Sequence, residues 1–162
     1  MTILHIRRAG AMDCRALAEL LNEIIAIGGT TAIVDPVTSD QLSEKMAYEN
    51  AVWHLAEDEN GTVMGFQYIT PHADIPSDST DIATFARVGQ TGLGVGSALF
   101  KATCAAAKSM GYATIDAVIR ADNDGGLAYY QSRGFETIQL LANERLADGQ
   151  VVDKVWKRYR IE

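Results

Sequence analysis

Gln90-Thr91-Gly92-Leu93-Gly94-Val95-Gly96-Ser97 runs straight into Ala98-Leu99-Phe100 and a helix-forming segment. The three glycines alternate and then stop. A glycine-rich turn at a helix start leaves backbone N–H groups that no intrahelical carbonyl has claimed. With the positive end of the helix dipole, they make an anion site. Side chains there would hold a phosphate off the backbone or forbid a positive φ. The stretch therefore reads as a phosphate cradle. A Walker loop would end in Gly-Lys-Ser/Thr, and Gly96-Ser97 carries no lysine. A dinucleotide fingerprint would open its domain and place an acidic residue at the end of the next strand, near Asp122. Two helices and several strands precede the turn here, which disfavours that reading.

The elements around the turn follow from periodicity. Residues 3–7 alternate apolar and polar, which predicts a strand. Within residues 11–27, Leu17, Leu20, Leu21, Ile24 and Ile25 fall at helical spacing, and Gly28-Gly29 stops the helix. Thr38-Ser39-Asp40 caps a second helix after a polar loop. Residues 51–57 and 62–70 read as a hairpin turned by Asp58-Glu59-Asn60-Gly61. Residues 71–80 form a loop rich in Pro, Asp and Ser, and residues 81–88 a strand entering the glycine turn. A helix over 97–110 is expected to turn Leu99, Ala102, Thr103 and Ala106 inward, with Gly111 as its C-cap. A strand over 113–119, a short helix ending at Arg133-Gly134, and strands over 135–141 and 151–160 complete the chain. The expected architecture is a single α/β (mixed α+β) domain over residues 1–162. Its mixed, mostly antiparallel sheet has six to seven strands and is flanked by about four helices.

Bulk properties narrow the function class. The chain has 162 residues, 48% of them hydrophobic and 22% charged, as in an ordinary soluble domain. A net charge of −7 argues against nucleic acid or an anionic membrane as the main partner. No apolar run approaches the roughly 20 residues of a membrane span. At the N-terminus Arg7-Arg8 follows the short apolar run instead of preceding it, unlike a signal peptide. Cys14 and Cys104 lie far apart in expected helices and read as buried apolar residues. A cytoplasmic location is expected.

A second signature follows the strand after the turn: Asn123-Asp124-Gly125-Gly126-Leu127-Ala128-Tyr129-Tyr130-Gln131-Ser132-Arg133-Gly134-Phe135. It resembles the Asn-x6-Tyr-x3-Gly-Phe segment of the GNAT superfamily of N-acetyltransferases. The glycine turn resembles that superfamily's Gln/Arg-x-x-Gly-x-Gly/Ala loop, which holds the pyrophosphate of acyl-CoA. The two occur in the family's order, with a helix and a strand between them. The loop Thr30-Thr31-Ala32, followed by Asp35-Pro36-Val37-Thr38, resembles the phosphinothricin-acetyltransferase-like branch. Counting back from Leu99-Phe100 makes Gly94 and Gly96 the motif glycines. The family's Gln/Arg position then falls on Thr91, with Gln90 one residue early, so the chain departs from the pattern there.

The resemblance implies an acetyl-CoA-dependent transfer to the amine of a small, amino-acid-like molecule, with no metal. Acetylation of a protein N-terminus or lysine, and a silent acyl-CoA sensor, are its alternatives. A homodimer is compatible with the branch. Ala86, Val88, Gln90, Thr91, Gly92, Gly94, Gly96, Ser97 and Asn123 become the cofactor-binding candidates. Tyr130 takes the general-acid position, because a phenol there can protonate the departing sulfur. Tyr129 beside it is expected to pack. Asp81 is the candidate base, with His54 and His72 as alternatives of suitable intrinsic pKa. Thr30, Thr31, Asp35 and Tyr68 are the acceptor-binding candidates by position. Trp53 and Trp156 are read as packing residues. The acidic groups at 57–59 and at Asp122 and Asp124 are read as solvated turns.

Overall fold

The computed structural model describes residues 3–87, 89 and 94–162. The alternating start of the chain forms β1 (His5–Arg8), and a 3-10 turn at Ala11–Asp13 leads into α1 (Cys14–Ile27). Gly28 ends α1 with φ 77°, a conformation that glycine reaches without a Cβ penalty. α2 (Ser39–Met46) starts at a full capping box: Thr38 Oγ1 accepts from the Gln41 N–H, and the Gln41 side chain accepts from the Thr38 N–H. β2 (Val52–Glu57) and β3 (Val63–Thr70) form the expected hairpin. Next come β4 (Ser79–Ala86), α3 (Val95–Ser109), β5 (Thr114–Arg120), α4 (Asp124–Ser132), β6 (Glu136–Arg145) and β7 (Val151–Arg160).

These strands form one seven-stranded sheet in the order β1-β2-β3-β4-β5-β7-β6. Every neighbouring pair is antiparallel except β4 with β5. Strand alternation splits the core between the two faces. On one, Leu17, Leu20 and Leu21 of α1 pack with Trp53, Leu55, Phe66 and Phe85. On the other, Phe100 of α3 packs with Ile115, Ala117, Tyr130 and Phe135, and Leu99 packs with Ala56 and Met64. Each fully buried leucine contributes about 1.5–3 kcal/mol by leaving water. Among the described residues no helix is long and apolar enough to cross a membrane.

Four local expectations need correction. α3 begins at Val95, two residues early, because Gly94 takes the left-handed conformation (φ 77°) as its N-cap. Its buried stripe is Val95, Leu99, Phe100, Thr103 and Ala107 rather than Leu99, Ala102, Thr103 and Ala106, as positions three and four apart share a helix face. Asp122 is not simply solvated: it pairs with Arg120 at 2.8 Å. Glu57 likewise pairs with Arg7 at 3.1 Å, beside Asp13.

The feature that positions the site is a failure of pairing. β4 and β5 align only where Ser79, Thr80 and Asp81 meet Thr114, Ile115 and Asp116. Beyond that, β4 stays on β3 as far as Ala86, and β5 stays on β7 as far as Arg120. The two central strands therefore part like a V. Among the described residues, the β4 edge from Ile82 to Ala86 has no partner strand on that side.

Candidate active site

The V opens into a cleft of about 1110 Å³. Its walls are the β4 edge, the facing end of β5, the first turns of α3 and α4, and the loop after α1. Of the residues singled out in the sequence, Thr30, Thr31, Tyr68, Asp81, Ala86, Gly96, Asn123 and Tyr130 all line it. Asp35 does not; it is exposed on the far part of its loop, beyond the segment that reaches the cleft. Gly94 caps α3 just outside, and Ser97 is exposed with its Oγ accepting from Arg133. Val88, Gln90, Thr91 and Gly92 lie outside the described residues.

Asp81 and Tyr130 both meet β4 at the fork, Asp81 from the strand itself and Tyr130 from α4. Asp81 stands at the last paired position, opposite Asp116 on β5. Burial pushes its carboxyl up to about 6; the nearby His72 opposes the rise and Asp116 adds to it. A carboxylate tuned that way sits near the working range of a general base. Asp116 is itself fully buried, but it is neutralised: Arg158 donates twice to its oxygens, at 2.8 and 2.9 Å, and Trp156 Nε1 donates at 3.0 Å. Tyr68 shares the Asp81 face, stacks on Trp53 at 4.1 Å, and has its hydroxyl pushed up to about 12, chiefly by burial. His72 reaches the cleft from the loop after β3, whereas His54 is buried in β2, away from it. Burial holds the His54 imidazole below its usual pKa, and Nδ1 has no partner among the described residues. Its burial away from the cleft, rather than its protonation, removes it as a base.

Tyr130 is buried against Phe135 and Tyr129, with ring centroids 5.0 Å away in each case. Its hydroxyl lies 2.7 Å from Thr84 Oγ1 on β4. Burial raises its pKa well above that of a free phenol, so it stays protonated at any working pH. Tyr129 does more than pack: its hydroxyl donates to the Gly96 carbonyl at 2.7 Å. A Cβ on Gly96 would meet Tyr129 Cε1 at 2.6 Å, so this glycine is required by the tyrosine ring. In an open helix, Gly→Ala would stabilise by about 1 kcal/mol. Gly96→Ala is instead expected to lower the melting temperature, which a thermal melt reads directly. A higher melting temperature would show that the contact is loose.

Asn123 caps α4, its Oδ1 accepting from the Gly126 N–H at 2.9 Å, while Nδ2 donates to the Thr30 carbonyl at 2.8 Å. Arg120 donates to the Thr31 carbonyl at 3.2 Å and is clamped by Asp122. Together they pin the loop after α1 to the lip of the cleft. Sequence reasoning missed Arg120, Thr84, Lys154 and Trp156, all of which line the wall. Trp156 is a correction, since it was read as a packing residue. Lys154 is opposite Arg120 in register and has no ion pair among the described residues. The alternation Asp116-Val118-Arg120 and Lys154-Trp156-Arg158 is the signal that could have found this face.

Comparison with known proteins bears on this geometry. The model of the acetyltransferase (GNAT) family matches residues 17–135. A solved protein assigned as a phosphinothricin N-acetyltransferase is 25% identical, with 99% of each chain covered and a TM-score of 0.86. A phosphinothricin acetyltransferase from Sinorhizobium meliloti, solved in complex with acetyl-CoA, is 20% identical, covering 98% of this chain and 88% of that one, with a TM-score of 0.86. A ribosomal-protein-alanine N-acetyltransferase from Brucella melitensis is 22% identical, covering 96% and 99%, also with a TM-score of 0.86. The last two likenesses are of fold alone. Comparison with the curated proteins gives no match. The forked sheet and the match over residues 17–135 agree: the chain belongs to the acetyltransferase (GNAT) family.

Proposed function

We propose that the protein is an acetyl-CoA-dependent N-acetyltransferase whose acceptor is the primary amine of a small, amino-acid-like molecule. The observation that carries this reading is the V between β4 and β5, with Asp81 and Tyr130 both facing into it. The cleft suits an extended acyl-CoA arm. Its volume is ample, and the free β4 edge from Ile82 to Ala86 offers backbone groups to the amides of a pantetheine chain. The α3 N-terminus, capped by Gly94, supplies unpaired N–H groups for a pyrophosphate. The S. meliloti relative was solved with acetyl-CoA, which supports the same use here.

Bound acetyl-CoA supplies an electrophilic thioester. Asp81 takes a proton from the incoming ammonium, through water if the gap requires it. The free amine then attacks the carbonyl carbon, helped by a β4 backbone N–H near Ala86 that polarises the oxygen, and the adduct's nitrogen gives up its second proton to water as the amide forms. As the carbon–sulfur bond breaks, Tyr130 gives its proton to the sulfur. Direct attack needs no covalent enzyme intermediate, and Cys14 and Cys104 lie outside the cleft lining.

The acceptor end of the cleft supports a small molecule with an acidic group. Lys154, without an ion pair among the described residues, offers its ammonium there, beside Trp156 and Arg120. The pinned Thr30–Thr31 loop narrows the entrance on the other side. A protein acceptor, as in the B. melitensis relative, would need a wider groove. The test is release of CoA thiol from acetyl-CoA with a panel of amino acids, polyamines and aminoglycosides. Amino acids or related amino acids with a second acid group are expected to give the highest kcat/KM. Turnover confined to polyamines or peptides would overturn the acceptor assignment.

A further inference from the structure

Tyr130 does not stand alone; its hydroxyl ends a chain of hydrogen bonds that begins at the α3 N-terminus. Tyr129 donates to the Gly96 carbonyl at 2.7 Å. Gln67 Nε2 contacts Tyr129 Oη at 3.1 Å and Thr84 Oγ1 at 2.9 Å. Thr84 Oγ1 lies 2.7 Å from Tyr130 Oη. Gln67 is fully buried and sits directly across from Thr84 in the β3–β4 register.

Proton counting gives this chain one direction. A carbonyl oxygen only accepts, so the Gly96 contact consumes the single hydroxyl proton of Tyr129. Tyr129 Oη can then only accept from Gln67, which makes the contacting atom the amide nitrogen and not the amide oxygen. That same nitrogen touches Thr84, so Thr84 Oγ1 also accepts from it. The amide oxygen is left without a partner among the described residues, consistent with an amide held by its donor side. The Thr84 proton can go to the Tyr130 oxygen, 2.7 Å away, with the Tyr129 oxygen as the neighbouring acceptor. Were Tyr130 to donate to Thr84, its proton would be turned to the strand and withheld from a leaving group in the cleft. With Thr84 donating, the Tyr130 proton is free to point into the cleft.

We infer that Gln67 and Thr84 are positioning residues: they fix the Tyr130 hydroxyl as a donor toward the leaving sulfur and stabilise the phenolate it becomes. The inference rests on the reading of Tyr130 as general acid. The balance of the step is simple. The carbon–sulfur bond breaks with its electron pair on sulfur, sulfur takes the Tyr130 proton, and the phenolate keeps the Thr84 hydrogen bond. No proton leaves the glutamine amide. The phenolate regains its proton, through water, from the former amine nitrogen, which loses it as the amide forms. The chain also ties the acid to the cradle, because Tyr129 packs and bonds on Gly96 in the first turn of α3.

The test is a set of substitutions at Thr84 and Tyr130, with folding checked by thermal melts and CoA affinity by calorimetry. Thr84→Val keeps the shape and removes the donor. It is expected to lower kcat about tenfold to a hundredfold, the worth of one hydrogen bond to a developing charge, with KM for acetyl-CoA nearly unchanged. Thr84→Ser should restore most of the rate. In a Tyr130→Phe background, Thr84→Val should cost almost nothing more, because its effect passes through the tyrosine. Unchanged kcat in Thr84→Val, or the same loss in both backgrounds, would overturn the relay while leaving Tyr130 as the acid. Full activity in Tyr130→Phe would overturn the acid assignment itself, and the relay with it.

Discussion

Tyr130→Phe is expected to cut kcat by about a hundredfold or more, the usual worth of a positioned proton donor. CoA affinity should stay within about threefold, because the ring is retained and only an interaction made as the bond breaks is lost. The ring packs on Phe135 and Tyr129, and phenylalanine preserves both contacts. The lost hydrogen bond to Thr84 should cost only about 1 kcal/mol of stability. Steady-state kinetics with calorimetry separates the two quantities. A parallel fall in kcat and CoA affinity would assign Tyr130 to binding. Unchanged kcat would remove it from the chemistry.

Asp81→Asn is the second large effect, and it acts on activity and stability in opposite directions. Activity should fall by about two to three orders of magnitude, since the amide cannot accept the amine's proton. In the wild type, kcat/KM should rise with pH through a limb near 6, where the Asp81 carboxyl ionises. That limb should vanish in the variant. The charged or titratable groups facing Asp81 are His72, Asp116, Tyr68 and Tyr130. Asp116 is committed to Arg158, which leaves His72 as the group able to modulate the limb.

The stability sign follows from burial. The folded pKa of Asp81 is raised from 3.8 to about 6, so the folded protein holds this proton more tightly than the unfolded chain. That contribution is complete below about pH 4 and is lost as pH rises through 6. At pH 7 the buried carboxylate is therefore a net cost, and removing its charge should stabilise the fold by about 1–3 kcal/mol. Chemical denaturation of Asp81→Asn against wild type at pH 5 and pH 8 reads this. A variant less stable than wild type at pH 8 would mean that Asp81 is held by structural partners, not strained for chemistry.

The sequence made the local features readable. Thr38 with Gln41 and the Asp58–Gly61 turn act through neighbours a few positions apart, and each element they bound is present, whereas the C-cap of α3 is Met110 and Gly111, at φ 88°, follows it. The paired motifs at residues 90–97 and 123–135 carried the family because each is local and the two follow one another in the family's sequence. The walls of the cleft were not readable that way. Lys154 faces the cleft only because it lies opposite Arg120, and Gln67 meets Thr84 only through the β3–β4 register. Such pairings are set by strand register across long chain separations. Gly96 shows the same limit. Its glycine is required by a ring 33 residues later. Asp35 failed for the opposite reason: proximity in sequence to Thr30 and Thr31 did not carry it to the cleft, because the loop turns away after its pinned segment.

A crystal structure of the protein grown with CoA tests the central claim most directly, since it needs no knowledge of the acceptor. The expected result has the pantetheine arm along the free β4 edge between Ile82 and Ala86, and the sulfur within hydrogen-bonding reach of Tyr130 Oη. Asp81 should lie on the acceptor side of the sulfur. CoA bound elsewhere, or a sulfur turned away from Tyr130 with the fork between β4 and β5 left empty, would contradict it.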